Sequence, residues 1–190
     1  MCTSYAGNRM QALRIAIPVV WVIFWAGWLL AARWSKQGSE TRRRAVPAGL
    51  RIAVLAAIVV RLAGSHTGTV HALALEIVGT VLFVAGLALA VWARITLGRN
   101  WGMPMTLKQE PELVTSGPYR YIRHPIYTGI LLAMLGTGIA TYVLALIVFA
   151  VMGVYFVYSA RVEDRLMATS FPSTYPEYRE RTKMLIPFVL

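Results

Sequence analysis

Between Gly117 and Gly129 the chain reads GPYRYIRHPIYTG, with tyrosines, arginines and a histidine set immediately before a long apolar run. Pro125 fixes φ and lacks an N–H, so it suits the first turn of a helix and biases His124 toward an extended or capping geometry. A helix starting there puts Arg123 and His124 beside unpaired N–H groups at the positive end of the helix dipole, a seat for a carboxylate or a phosphate. Tyr127 follows His124 by three positions and shares its face, while Tyr119 and Tyr121 precede it. Such tyrosines can hydrogen-bond a ligand or meet a cation with their ring faces. The same residues also suit a plainer role, anchoring a membrane helix at the headgroup level. A second polar strip lies downstream. Arg161, Glu163, Asp164 and Arg165 close the last apolar run, where a solvated helix end is the simple expectation. From Thr174 to Lys183 a short helix is predicted: Thr174 and Glu177 have capping-box spacing, Pro176 is tolerated in a first turn, and Tyr175 and Tyr178 share a face.

The elements that must position these strips are apolar. Hydrophobic residues make up 57% of the 190-residue chain and charged ones 14%, and the mean hydropathy is +0.59. That composition belongs to integral membrane proteins. The formal charge of +11 is gathered in clusters between runs of near bilayer length, so membrane topology and acidic headgroups account for it better than nucleic acid does. Cys2 is the only cysteine, which excludes an internal disulfide and a thiolate metal cluster. The first apolar segment is long enough to span and has no clear small-residue cleavage site, so it does not read as a cleaved signal. The end, PFVL, lacks the prenylation pattern.

Residues 13–32 approach the ~20 needed to cross hydrocarbon. Residues 48–64 and 70–95 give two more spans, with Arg61 and Glu76 at similar depth on either side of the turn between them and predicted to pair. The run from Ile126 to Ala160 would extend roughly 50 Å as one helix against a ~30 Å core, so it must fold back. Gly136, Thr137, Gly138 and Thr141 supply the expected turn, giving spans at 126–138 and 141–160 as a tight hairpin. The fold class is therefore an all-α membrane protein of five crossings, one compact domain with a C-terminal helical region. Lys and Arg concentrate after span one, after span three and in the tail, which places those three segments in the cytosol and the N-terminus outside. Segments 96–125 and 161–190 then share one face.

Taken together, LVTSGPYRYIRHPIYTG, then R-x-E-D-R-L, then YPEYRERT and a closing LIP resemble the isoprenylcysteine carboxyl methyltransferase family, in particular its small prokaryotic members. The resemblance covers about Leu97 to Pro187; LGRNW at Leu97 to Trp101 shares in it, and the first two spans carry nothing specific. It implies a membrane methyltransferase of a prokaryotic inner membrane, with S-adenosyl-L-methionine held between the helices and the cytosolic C-terminal region and S-adenosyl-L-homocysteine as product. Leu113 and Val114 match cofactor-contacting backbone, Tyr119 a cofactor tyrosine, and His124, Pro125, Ile126 and Tyr127 the cofactor-binding turn. Glu163 matches the acidic cofactor ligand. On this reading the methionyl carboxylate suits His124 and the helix N-terminus, and its ammonium suits Glu163. The chain departs from the family at Pro111, where a histidine is common, at Phe171-Pro172 in place of Phe-Gly, and at Ser159, where eukaryotic relatives carry a substrate arginine.

A carboxylate acceptor is already ionised at neutral pH, so positioning and desolvation dominate, with Arg161 or Arg123 orienting the acceptor. An amine acceptor, such as a phospholipid headgroup, needs a proton acceptor, for which Glu163 and His124 are the available groups. The partners implied are lipophilic or lipidated substrates and membrane lipids. A nicotinamide-dependent reductase with similar C-terminal motifs and a non-catalytic membrane protein are the remaining alternatives.

Overall fold

A computed structural model of the chain describes residues 2–32, 72–102, 112–141 and 145–186. Helix α1 runs Cys2–Ala32, α2 Leu73–Leu97, α3 Pro125–Ala140, α4 Ala145–Ser170 and α5 Tyr175–Arg181, with 3-10 turns at Gly98–Asn100 and Gly117–Arg120. Parts of α1, α2 and α4 are long and apolar enough to cross a membrane, and α3 is a shorter apolar helix. The expected span 48–64 and its Arg61 lie outside the described residues. Glu76, expected to pair with Arg61, is buried on α2 and accepts a hydrogen bond from Arg9 Nε at 2.7 Å.

On α1, Ile17, Phe24 and Trp28 are buried while Ile15, Val22, Ile23, Leu29 and Leu30 are exposed. Spacings of seven and four residues put the buried set on one stripe, leaving an apolar face of the kind that lipid covers. Trp21 on the same stripe packs on Phe83 at 5.8 Å and donates its Nε1–H to Thr137 Oγ1 at 3.1 Å. In this way α1 rests on both α2 and α3.

The closest packing joins α2 to α3. On α2 the buried positions are Glu76, Gly79, Phe83, Gly86, Ala90 and Ala93; on α3, Gly129, Ala133, Gly136 and Ala140 recur in the same three-and-four rhythm. A Cβ on Gly86 would stand 2.4 Å from Ala133 N and 2.5 Å from Gly129 O, and one on Gly136 2.4 Å from Gly79 O and from Phe83 N. The helices are antiparallel and touch backbone to backbone. In lipid, where burying apolar groups gains little, such close approach is a principal source of helix association.

This seam corrects the expected turn. Gly136, Thr137 and Gly138 lie inside α3, which continues to Ala140 with Thr141 as its cap. Gly136 admits α2, and Gly138 admits Leu146, whose Cδ2 would lie 2.5 Å from an added Cβ. The hydroxyls of Thr137 and Thr141 donate back to the carbonyls of Ala133 and Thr137 at 2.9 and 2.6 Å, which keeps them in helical backbone. Helices α3 and α4 run antiparallel, Gly138 facing Leu146 at one end and His124 meeting Glu163 and Asp164 at the other.

Helix α4 has 26 residues, about 39 Å at ~1.5 Å per residue. That exceeds a ~30 Å hydrocarbon core, and the charged residues Arg161, Glu163, Asp164 and Arg165 lie toward the C-terminal end of the helix. Gly98 caps α2 with φ of +55°, and Gly117 opens the second 3-10 turn with φ of +56°, conformations that glycine adopts without strain. A Cβ at Gly117 would lie 2.9 Å from Thr96 Oγ1, so this turn sits directly against the end of α2.

Substituting Gly86→Ala at the seam is expected to cost about 1–3 kcal/mol through forced separation of the helices. Gly153→Ala on α4, where nothing lies within 4 Å of the new Cβ, is expected to gain up to about 1 kcal/mol. Thermal unfolding in detergent checks this, and equal midpoints for the two variants would rule out the seam.

Candidate functional site

The two polar strips, some forty residues apart in sequence, meet. At the start of α3 the backbone of Arg123 and His124 pairs with the tail: Arg123 N donates to Lys183 O at 2.8 Å, His124 N to Met184 O at 3.1 Å, and Lys183 N to Tyr121 O at 3.2 Å. Thr128 Oγ1 donates to Leu185 O at 2.6 Å. These bonds hold residues 182–185 beside the turn that opens α3. Pro125 is fully buried beneath them, and with no N–H of its own it leaves no donor unpaired there.

His124 is the helix N-cap, but its side chain makes no capping bond. It reaches α4 instead. Its Nε2 lies 2.9 Å from Asp164 Oδ1 and its Nδ1 3.3 Å from Glu163 Oε2. The imidazole thus spans two adjacent carboxylates, a geometry that only the doubly protonated ring satisfies with a donor at each end. Tyr127 OH donates to the other oxygen of Glu163. The Tyr127 ring is stacked between His124, at 5.5 Å and 6°, and Phe156, at 4.5 Å and 13°.

Asp164 is the most heavily bonded group. Tyr175 OH donates to its Oδ1 at 2.5 Å, and Arg123 approaches both oxygens with Nε at 3.2 and 3.3 Å and Nη2 at 3.1 Å. Arg123 Nη1 goes on to Thr182 O at 2.5 Å and Arg179 O at 3.1 Å, tying the end of α5 to the cluster. Tyr178 OH donates to Tyr119 O at 2.8 Å. The expected shared face of Tyr175 and Tyr178 is present and buried; the expected Thr174 side-chain cap is not formed.

The electrostatics follow from this packing. Burial works to lower His124, but its bonds to Asp164 and Glu163 outweigh it and leave the imidazole raised above its ordinary value. Burial works to raise Asp164, which lies past the apolar part of α4; His124, Tyr175 and Arg123 together hold it below the usual carboxylate range. Burial, with Asp164 adding to it, pushes Tyr175 up, and burial pushes Tyr178 up, so both remain protonated donors. Removing one partner from a buried pair of this kind typically costs about 3–5 kcal/mol.

Among the residues the sequence singled out, His124, Pro125, Ile126, Tyr127 and Glu163 form one contiguous group, and Tyr119 joins them in the same buried cluster as Trp101, Ile126, Tyr127 and Phe156. Val114 packs partly buried against that cluster, and Leu113 is half-buried. Arg123 is occupied by Asp164 and by tail carbonyls. Arg161 is exposed on the outer face of α4. Ser159 is fully buried and donates to Tyr155 O at 2.9 Å. Asp164, Tyr175 and Thr182 are central to the cluster; Asp164 was expected at a solvated helix end and Tyr175 on a shared helix face, neither as a site residue, and Thr182 was not singled out. The signal was there: a basic pair, Arg-His, in one strip and an acidic pair, Glu-Asp, in the other.

Glu163 fits a cationic ligand group. It is the carboxylate of the cluster that retains exposure, 23% of its side chain against 9% for Asp164. Among the described residues, no three His, Cys, Asp or Glu side chains gather to hold a metal ion.

The chain is 39% identical over 95 residues to the Cobalt-zinc-cadmium resistance protein CzcN of Cupriavidus metallidurans, covering 48% of this chain and 44% of that protein. It is 32% identical over 116 residues to Protein-S-isoprenylcysteine O-methyltransferase B of Arabidopsis thaliana, covering 58% of each. With Protein-S-isoprenylcysteine O-methyltransferase of Saccharomyces cerevisiae it shares 29% over 117 residues, 60% of this chain and 49% of that protein. The chain thus spans about half the length of these curated relatives. The sequence profile of the family described as Phospholipid methyltransferase matches residues 75–174. Because that match takes in more than half of the chain and carries both the basic and the acidic pair of the buried cluster, the chain belongs to the phospholipid methyltransferase family.

Proposed function

We propose that this is an integral membrane methyltransferase that uses S-adenosyl-L-methionine and transfers its methyl group to the carboxylate of an isoprenoid or lipid-like acceptor. The observation that carries the reading is the direct contact of Tyr127 and His124 with Glu163. It joins the two strips that the family resemblance assigns to one cofactor. The proposed topology has five crossings, with the N-terminus outside and segments 96–125 and 161–190 in the cytosol of a prokaryotic inner membrane.

Glu163 would meet the ammonium end of the cofactor, its carboxylate aimed by Tyr127 and His124. Leu113, Val114, Tyr119 and Ile126 would line the same hollow. When bound, S-adenosyl-L-methionine supplies an electrophilic methyl on sulfonium sulfur, and in-line attack leaves S-adenosyl-L-homocysteine. Arg123 acts as a positioning residue, fixing Asp164 and through it His124; Arg161, free of the cluster, would meet the acceptor from the cytosolic side. The apolar cluster of Trp101, Ile126, Tyr127 and Phe156 keeps water from the reacting carboxylate and so preserves its nucleophilicity.

The geometry favours a carboxylate over an amine. An amine acceptor must lose a proton, yet both ring nitrogens of His124 face carboxylates and both oxygens of Glu163 face donors. Neither is placed as an idle base. The description of the matched family supports the second reading, N-methylation of a phospholipid amine. Incubating the purified protein with labelled cofactor, N-acetyl-S-farnesylcysteine or phosphatidylethanolamine vesicles, then adding mild base, separates the two. Carboxyl methylation releases volatile labelled methanol; label that stays with the lipid after base would establish the amine reading instead.

Glu163→Gln is expected to weaken S-adenosylhomocysteine binding by calorimetry about tenfold to a hundredfold, the worth of a charge-assisted bond of ~1.5–3 kcal/mol. Affinity equal to that of the unmodified protein would remove Glu163 from the site. For pH, His124 is raised, so its contribution to stability is complete below the ordinary value near ~6.5 and is lost as pH rises through the raised value. Asp164 is depressed, so its contribution is complete above ~3.9 and is lost as pH falls through the depressed value. The thermal midpoint in detergent is therefore expected to be level from about pH 4 to 6.5 and to fall from there as the pH rises through the raised His124 value. In His124→Gln that alkaline fall should disappear, and an unchanged profile would count against the bridging imidazole.

A further inference from the structure

Just before the LGRNW stretch, near the end of α2, stands a cation that the proposed site does not use. Arg94 is half-buried and fixed on three sides. Its Nη1 donates to Gly98 O at 2.8 Å, its Nη2 to Ala31 O at 2.9 Å, and its guanidinium lies over the Trp101 ring at 4.6 Å. All of these partners are neutral, and no carboxylate among the described residues pairs with it. Its Nε is buried without a hydrogen-bond partner, as is Oδ1 of the neighbouring Asn100. A half-buried guanidinium whose Nε is enclosed without an acceptor, and which has no ion-pair partner among the described residues, is completed by an anion that reaches it.

Its location says what that could be. Trp101, under the guanidinium, belongs to the same buried cluster as Tyr119, Tyr127 and Phe156. Thr96, two residues further along α2, abuts Gly117, two residues before Tyr119. Arg94 therefore approaches the proposed hollow from α1 and α2, whereas Glu163 approaches from α4. The arginines that the sequence offered for the acceptor are less well placed for a buried anion: Arg123 is held by Asp164 and Arg161 is exposed.

Resting on the methyltransferase reading, we infer that Arg94 is the specificity residue that receives and orients the acceptor's carboxylate, with its fork held ready by Ala31, Gly98 and Trp101. A planar, always charged guanidinium suits a carboxylate better than an ammonium does, and its fixed position limits the entropy lost on engagement.

The test uses the full chain in detergent, with N-acetyl-S-farnesylcysteine as acceptor and S-adenosylhomocysteine calorimetry alongside. Arg94→Gln is expected to raise KM for the acceptor at least tenfold while S-adenosylhomocysteine affinity stays within twofold, and Arg94→Lys to recover part of the loss. A KM within twofold of the unmodified protein, or cofactor affinity falling in step with KM, would overturn the inference. A second measurement needs no variant: N-acetyl-S-farnesylcysteine, but not its methyl ester, should shield Arg94 from phenylglyoxal as read by mass spectrometry. Shielding by phosphatidylglycerol vesicles alone assigns Arg94 to the headgroup layer and overturns it, as does no shielding by either. If the unmodified protein neither binds S-adenosylhomocysteine nor methylates the acceptor, it is the methyltransferase reading that fails, whatever Arg94 does.

Discussion

Four charged side chains in two neighbouring pairs, Arg123-His124 and Glu163-Asp164, hold the start of α3, the end of α4 and the tail together. None of them is easily left alone at that depth: an unpaired charge costs several kcal/mol, whereas the set of four is neutral in sum. Each member therefore constrains the others. Arg123 fixes Asp164, Asp164 and Glu163 fix the imidazole between them, and Tyr127 fixes the one carboxylate that still reaches solvent. The start of α3, the end of α4 and the tail take the positions that this closed circuit allows.

The seam between α2 and α3 serves the same end by different physics. Alternating glycine and alanine let two backbones touch, and the separation they set decides how far α3 stands from α1 and α4. Trp21, Trp28 and Trp101 then fill the space that the small residues leave between α1 and the site. Phe83 meets Trp21 of α1 from the same buried stripe of α2 that carries Gly79 and Gly86, so α1 and α3 pack beside one another on it.

Much of this was legible in the residues. Hydropathy marked α1, α2 and the α3–α4 run, and Pro125 marked the start of α3 because a residue without an N–H has few other places to go. The tyrosine pair of α5 was readable from its spacing. What misled was glycine. Gly136 and Gly138 look like a turn in sequence, because the same missing Cβ that permits a bend also permits a close neighbour, and only the neighbour's position distinguishes them. Asp164 was hidden for a related reason: a charged residue just past an apolar run usually faces water, and its burial here depends on a tail that returns from eleven residues further on. The His124 side chain likewise leaves the cap position it could have filled, since two carboxylates from another helix outcompete a backbone N–H.

The tail's attachment has a consequence for the order of assembly. Residues 182–185 lie against the turn before α3, and Tyr175, Thr182 and the carbonyl of Arg179 complete the ring of partners around Asp164 and Arg123. These residues follow α1–α4 in the chain and are synthesised after them. Until they dock, the chain carries its acidic and basic pairs without their full set of donors and acceptors, so the cluster closes only once the tail is in place.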